Sequence, residues 1–562
     1  MLNNTRNAAF YYMAEGYQTS GKSIMGRQSA GEGFLSGFAK HAGVDRFYCY
    51  GPNVEQYQHF QRSITQATGK GQSCSFIPFA HFPSLSQVGC LFVPGPCLSN
   101  DAWVRRSFNS RAYSICGVTH TTATERIMDS IGALLIDPVQ SWDAIVCTST
   151  VVKKTLERVI DSYADYLEDR MGVRPQMSVQ LPIIPLGVDC EQFSPPEGEA
   201  YRAAWRDKLG ITDDAIAVLY VGRLNFTAKA HPLPMFLALE EAARQTGKQI
   251  HLLLAGWFDP PTTESLWRED AQKFCPSVTV AFLDGRQEDI RREIWSAADI
   301  FTSLSDNIQE TFGLTPIEAM AAGLPVVVTD WDGYRDTVRD GIDGFRVPVF
   351  LPEPGRGEEL AIRFANNVDS YGRYCGSVSQ MTSVDLDACV AAYVKLIQDK
   401  ALRSKLGEAG RQRAVEQYDW RHVVRQYQEL WQELTLRRMR ELETAPRSKG
   451  KQPLPLRLDP FELFQEYPTD CINSGSLLAL RPGNMRERLE QKCSSVMNSF
   501  AANLLLSQQE QVMVIEYLAK QGPVTVDEII KLFPAARANQ VVCTVGWMGK
   551  NGIISIQVVQ DN

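Results

Sequence analysis

The chain has 562 residues, 44% hydrophobic and 22% charged, with a formal net charge of -8. This is a globular composition too long for one hydrophobic core, so two or three domains are expected. The mildly acidic balance gives no ground for a polyanion partner from bulk charge. The 13 cysteines are scattered, odd in number and form no CxxC pair or Cys/His cluster. That argues against a disulfide framework and a zinc site, and for a reducing, cytoplasmic setting. No basic-then-apolar leader opens the chain, and no apolar run approaches the ~18–20 residues that cross a bilayer. Peripheral contact with a membrane surface stays open.

In chain order, strand-like runs occur at Ala8–Met13, Cys90–Pro94, Ser114–Val118, Ala144–Thr148, Ile216–Val221, Ile250–Ala255, Val278–Phe282, Ile300–Ser303 and Pro325–Thr329. Amphipathic stretches such as Leu233–Gln245 and Ile290–Ala298 lie between them. This rhythm predicts parallel sheets covered by helices on both faces. After the first run, Gly16-Tyr-Gln-Thr-Ser-Gly21-Lys22-Ser23 fits the phosphate-loop pattern, and IGALLID, ending at Asp137, offers a Walker-B-like strand. A phosphate loop needs a helix starting at its Lys-Ser pair. The following IMGRQSAGEG has three glycines in ten positions, which argues against a regular helix there. Gly31-Glu32-Gly33 then precedes a helical stretch, FLSGFAKHA, and His120 lies just past the run Ser114–Val118.

Strand rhythm stops after LPIIPLGVD (Leu181–Asp189), passes through CEQFSPPEGEA, and restarts at Ile216. This predicts two doubly wound halves, residues 1–200 and 201–443, with a ligand cleft outside the carboxyl ends of the strands. The last stretch, Asp419–Leu442, reads as a long helix able to cross back to the first half. Ala445–Leu456 (APRSKGKQPLPL) is Pro- and Lys-rich, so residues 444–490 read as a linker. Residues 491–562 then read as a small module. It has helices at Gln508–Gln521, at Thr525–Phe533 with a Thr525/Glu528 capping box, and at Arg537–Lys550, before an Asn551-Gly552 turn and a strand. That order resembles a winged helix. From residue 505 onward, Lys520, Lys531, Arg537 and Lys550 face Glu510, Glu516, Asp527, Glu528 and Asp561. This balance lacks the basic face that DNA demands. The apolar helix Gln540–Met548 favours protein interaction or self-association instead.

The chemistry concentrates in residues 299–330, DIFTSLSDNIQETFGLTPIEAMAAGLPVVVTD. Thr315 reads as a helix N-cap, with Pro316 at the first helical position and Glu318 completing a capping box. Glu310 sits in the strand-to-helix loop, where its bland alternative is a solvated carboxylate. The loop Glu310–Thr315 offers backbone N–H groups at a helix N-terminus, which favours a phosphate or sugar oxygen.

Glu310-Thr-Phe-Gly-Leu-Thr-Pro-Ile-Glu318, followed by AMAAGLPVVVTD and DGIDGFRVP, resembles the E-x7-E signature of retaining GT-B glycosyltransferases. The closest likeness is to glycosyltransferase family 4, over roughly residues 10–430. The resemblance implies an α/β GT-B fold: two Rossmann-like domains, a central cleft, and here a small α+β winged-helix-like domain appended. It implies that Glu310 contacts donor-sugar hydroxyls and that Glu318 binds the ribose. Phe312, Gly313, Leu314 and Thr315 would present backbone to sugar and diphosphate. Arg223 and Lys229, after the strand ending in Tyr220-Val-Gly, would hold the diphosphate, where fixed cations stabilise the developing charge. The gap between those two is one residue longer than the family pattern. Gly31 and Gly33 would form a Gly-rich loop near diphosphate, Gly256 a donor-side loop, and His120 a cleft histidine near sugar and acceptor. Leu186-Gly-Val-Asp189 and Phe193 match the family's interdomain signature.

The implied activity is hexosyl transfer from a UDP- or GDP-sugar to an acceptor hydroxyl, with no resident cofactor and no metal required. The acceptor, whether sugar, lipid-linked or protein, is left open. Two alternatives stand beside this reading: a P-loop nucleotide hydrolase using Gly16–Ser23, and a regulatory or scaffold protein on a degenerate transferase core. In the transferase reading, Lys22 and Arg27 lie in an N-terminal loop facing the cleft.

Overall fold

The computed structural model describes residues 5–18 and 26–558. Residues 1–454 form one compact unit and residues 455–562 a second. The first unit holds two six-stranded sheets. In the first sheet, β1 is Ala9–Tyr11, β2 Phe47–Gly51, β3 Cys74–Pro78, β4 Cys90–Phe92, β5 Ser114–Val118 and β6 Ala144–Val146. Their order is β3-β2-β1-β4-β5-β6, with every pairing parallel. In the second sheet, β7 is Ile216–Val221, β8 Ile250–Gly256, β9 Val278–Asp284, β10 Ile300–Ser303, β11 Val326–Thr329 and β12 Gly344–Val347. The order β12-β11-β10-β7-β8-β9, again all parallel, repeats the same topology. Each sheet therefore reverses its strand order once, between β1 and β4 and between β7 and β10. A crevice opens at such a switch point, outside the strands' carboxyl ends. The apolar runs form strands because both faces are covered. Val218 and Tyr220 enter one core cluster and Ala217 and Leu219 another, on opposite faces of β7.

The helix Trp420–Arg440 buries Trp420, Val423, Val424, Tyr427, Leu430, Trp431 and Leu434, a stripe at helical spacing. All seven join Phe10, Phe34, Phe38 and Phe92 in the first half's core. The end of the first unit's chain is thus part of the fold of its beginning. This packing also corrects the expectation for Gly31 and Gly33. They lie inside a regular helix, Gly26–His41, not in a loop. A Cβ on Gly37 would stand 2.5 Å from the Trp420 ring, one on Gly33 3.1 Å from it, and one on Gly31 2.3 Å from the Gly16 carbonyl oxygen. Glycine costs a helix about 1 kcal/mol per residue relative to alanine. Burial of an indole, on the order of 2–3 kcal/mol, offsets part of that, and only glycine leaves it room. The Walker-B-like segment is likewise no strand: Asp137 lies in the turn after helix Glu125–Ala133, where its Oδ1 accepts from Trp103 Nε1 at 3.0 Å.

Past β12, a two-stranded antiparallel ribbon of β13 (Val349–Phe350) and β14 (Ser383–Val384) encloses two helices, Glu358–Ala365 and Tyr371–Gln380. In the second unit, β15 (Leu477–Leu480) is the central strand of an antiparallel sheet with β16 (Val524–Thr525) and β17 (Ile554–Gln557). The stretch read as linker, 444–490, therefore supplies the sheet's middle strand. Helices Gln508–Gln521, Val526–Ile530 and Ala538–Lys550 cover the sheet through Val514, Leu518, Ile529, Val541, Val545 and Met548. The Thr525/Glu528 capping box is present, and a second forms at Ser507/Glu510. Among the described residues, no helix is long and apolar enough to cross a membrane.

Candidate active site

The loops leaving β7 and β10 meet at the second sheet's switch point, and they carry the cations and the carboxylate. Asn225 Oδ1 accepts hydrogen bonds from Thr227 N (2.9 Å), Thr227 Oγ1 (2.9 Å) and Ala228 N (2.8 Å), which winds the β7 loop into a tight turn. The β10 loop then clasps it: Asn307 Nδ2 donates to Thr227 O at 2.9 Å, and Ser305 Oγ donates to Lys229 O at 3.3 Å. Lys229 Nζ consequently stands 3.5 Å from Glu310 Oε2. Arg223 is anchored by Nη1 to Asp259 Oδ2 at 2.8 Å with its side chain 12% exposed, and its Nε has no partner.

Burial opposes the charge on Glu310. Lys229 and the backbone N–H groups of Thr311 and Phe312 outweigh it, so its pKa lies below the ordinary carboxylate value. Glu318 is the opposite case. It is half-buried, its carboxylate has no partner among the described residues, and burial pushes its pKa up to about 7. The expected capping box is absent. The helix Leu314–Ala321 starts two residues earlier, from Gly313 at φ 81°, and no side chain caps it. Its opening N–H groups, on Leu314 and Thr315, therefore carry no side-chain acceptor. Gly313 is required there twice over, by its left-handed backbone and because a Cβ would stand 1.9 Å from the Tyr334 ring. The Phe312 ring turns away into the core, against Tyr418 at 6.4 Å. Gly256 ends β8 where a Cβ would stand 1.9 Å from the Gly222 carbonyl oxygen. Its place is explained by the close approach of the β7 loop.

The first half contributes His120. Its carbonyl accepts the Thr311 hydroxyl, next in sequence to Glu310. Burial and then Arg27 lower the imidazole's pKa to about 4, so the ring is neutral at neutral pH. It lines a small cavity with Gly31, Phe34, Pro94, Leu186 and Trp420. Two further contacts tie the halves: Ser149 Oγ donates to Asp332 Oδ1 at 3.0 Å, and Thr150 N donates to Asp336 Oδ2 at 2.5 Å. Both donors open the long helix Thr150–Met171, so two carboxylates of one half serve the helix N-terminus of the other. Asp189 binds Lys40 at 2.7 Å, Val188 pairs with Asp419, and Phe193 stacks edge-on to Trp295. Of these, Phe193 reaches the second half through Trp295, Val188 joins the start of the helix that crosses back, and the Asp189–Lys40 pair lies within the first half. Gly21, Lys22 and Ser23 lie outside the described residues. Arg27 is described, and it sits in the first turn of Gly26–His41.

Sequence reasoning missed Asn225, Asn307, Asp306 and Asp332. Asp306 accepts from His231 N at 3.2 Å, and burial pushes its pKa up to about 7. Asp332 is likewise pushed to about 7, by burial first. The signal for the two asparagines was present as turn chemistry just past strand ends. Among the described residues, no group of three or more His, Cys, Asp or Glu is placed to hold a metal ion.

Two doubly wound halves with a crevice at their strand ends define an α/β fold of the GT-B kind. Residues 202–353, within the second half, match the family described as "Glycosyl transferases group 1". The chain is 31% identical over 275 residues to a D-inositol 3-phosphate glycosyltransferase of Geodermatophilus obscurus, covering 45% of this chain and 56% of that one. It is 29% identical over 255 residues to the protein of the same name from Mycolicibacterium gilvum, covering 44% and 53%. The chain thus spans about half the length of the curated relatives it matches. Among solved structures, it is similar to Anabaena HepE in complex with UDP, at 14% identity and a TM-score of 0.47, over 75% of this chain and 98% of that one. A sucrose-phosphate synthase from Thermosynechococcus elongatus is similar at 18% identity and a TM-score of 0.46, over 78% and 98%.

Proposed function

We propose that this protein is a glycosyltransferase that moves a hexosyl unit from a UDP- or GDP-sugar to an acceptor hydroxyl with retention of anomeric configuration. One observation carries the reading: an ionised Glu310 held 3.5 Å from Lys229 at a switch point, with a partnerless Glu318 one helix turn further in. A carboxylate without a donor suits the paired hydroxyls of a ribose. Glu310 is assigned to the donor sugar. Arg223 and Lys229 are assigned to the diphosphate, with the open N–H groups of Leu314 and Thr315 beside them. As the bond from the anomeric carbon to the diphosphate oxygen breaks, negative charge grows on the leaving group, and both cations stabilise it. The acceptor oxygen bonds to that carbon from the same face, and its proton passes to a diphosphate oxygen. The neutral His120 imidazole serves as a hydrogen-bonding wall on the acceptor side. The proposed reaction draws its positive charge from these side chains and calls for no resident cofactor. The names of the curated relatives, both glycosyltransferases, support the reading.

The second unit, three helices on a three-stranded antiparallel sheet, is read as a winged-helix-like module for protein contact or self-association. The test of the site is a thermal-shift screen against UDP, GDP, ADP and their sugars, since a ligand at 100 times its Kd stabilises the native state by about 2.7 kcal/mol. One nucleotide family should raise Tm. Glu310→Gln should keep the shift with the free nucleotide and abolish turnover of the sugar nucleotide. Undiminished turnover in Glu310→Gln would refute the role given to that residue.

A further inference from the structure

The helical pair Glu358–Ala365 and Tyr371–Gln380 lies beyond residue 353, where the family match ends. The outer helix buries none of its residues, so a core does not account for it. It braces the inner helix: Phe364 stacks on Tyr374 with ring centroids 4.4 Å apart, and the Asp369 carboxylate between the helices pairs with Arg363 at 2.8 Å and Arg373 at 3.0 Å. The inner helix lies on the turn that carries Lys229. A Cβ on its Gly376 would stand 3.0 Å from Thr227. From that seat Tyr371 reaches the other half, with its hydroxyl 3.4 Å from Thr121 Oγ1. Thr121 follows His120, and the Arg223 guanidinium is near enough to act on the Tyr371 phenol. Tyr371 therefore links the helix packed on the Lys229 turn to the first-half loop that carries His120.

We infer that Tyr371 is a specificity-determining residue whose hydroxyl, paired with that of Thr121, hydrogen-bonds the sugar of the donor. This rests on the transferase reading above. The chemistry favours a sugar over a phosphate. Tyr371, Thr121 and the neutral His120 are uncharged hydrogen-bonding groups, suited to hydroxyls, whereas Arg223 and Lys229 already provide the positive charge that a diphosphate requires. Burial raises the Tyr371 pKa, so the phenol stays protonated and can both donate and accept.

The test is calorimetric titration of the full chain with UDP and UDP-glucose, and with GDP and GDP-mannose, in wild type, Tyr371→Phe and Thr121→Val. Tyr371→Phe keeps the ring and removes only the hydroxyl. For the nucleotide pair that binds, both variants should weaken the sugar nucleotide by about 3- to 10-fold, the worth of one neutral hydrogen bond. They should leave the free nucleotide within about twofold of wild type. Equal changes for both ligands, or no change for either, in a wild type that binds them would overturn the assignment to Tyr371 alone. A wild type that binds none of the four would sink the donor reading and this inference together.

Discussion

Replacing Lys229 by Met isolates the force that keeps Glu310 ionised. At 3.5 Å and an effective dielectric constant of about 20, the pair's gross attraction is about 5 kcal/mol. The side chains are 27% and 15% exposed, so solvent screens part of it, and a charge-assisted hydrogen bond nets about 1.5–3 kcal/mol. Removing Lys229 therefore raises the Glu310 pKa. The sign follows from burial, which alone would raise that pKa. In wild type the folded pKa is lowered, so the stabilisation from ionised Glu310 is present above the unfolded carboxylate pKa and lost as pH falls through the lowered value. In Lys229→Met the folded pKa rises, so this stabilisation and its loss on acidification shrink, while the ionised form that turnover requires is reached only at higher pH. The assay is Tm and sugar-nucleotide turnover across about pH 4–8. The acid limb of turnover should move upward in Lys229→Met and the fall in Tm on acidification should shrink, and Lys229→Arg should restore both. Acid limbs of Lys229→Met that overlay those of wild type would refute the electrostatic account of the pair.

Other outcomes follow from the same geometry. Glu318→Gln should raise stability at about pH 8 by about 1–3 kcal/mol and change little near pH 5, because a folded pKa raised to about 7 makes the ionised carboxylate a cost that grows with pH; Tm at the two pH values decides it. Asp336→Asn should lower Tm by an amount equivalent to about 1 kcal/mol, through loss of charge at the Thr150–Met171 helix N-terminus, and limited proteolysis should show easier opening between the halves. Asp143→Asn should cost about 3–5 kcal/mol in a denaturant titration, since it leaves Arg105 fully buried without its counter-charge. Gly313→Ala should abolish stable folding or lower Tm sharply, because its Cβ would enter the Tyr334 ring.

The long apolar strands were legible because a parallel sheet covered on both faces turns strands into unbroken hydrophobic runs, as in Ile216–Val221 and Ile250–Gly256. β2 (FYCYG) and β3 (CSFIP) were not, since short mixtures of aromatic, Cys, Gly and Pro residues carry no periodicity. The glycine-rich start of Gly26–His41 misled for a deeper reason. Its helix is selected by Trp420, hundreds of residues away, and local propensity knows nothing of that indole. Similarly, Leu477–Leu480 is a strand because Ile554–Gln557 pairs with it, so its own neighbourhood resembles a linker. At the site, the spacing of Glu310 and Glu318 was visible, but the start of the helix between them was not. Thr315 and Pro316 imitate a cap, whereas the positive φ at Gly313 sets the true boundary. The clasp of Asn225 and Asn307 that delivers Lys229 to Glu310 joins loops 80 residues apart and could be seen only once folded.

In the proposed function, Glu310 serves transfer from a sugar nucleotide at this crevice. Proton NMR of the anomeric signal during incubation with UDP-glucose and with GDP-mannose tests it most directly. Wild type should consume one of the two donors and form first a product of the donor's own anomeric configuration, and Glu310→Gln should leave that donor intact. Consumption at equal rates by both proteins, or a first product of inverted configuration, would contradict the account.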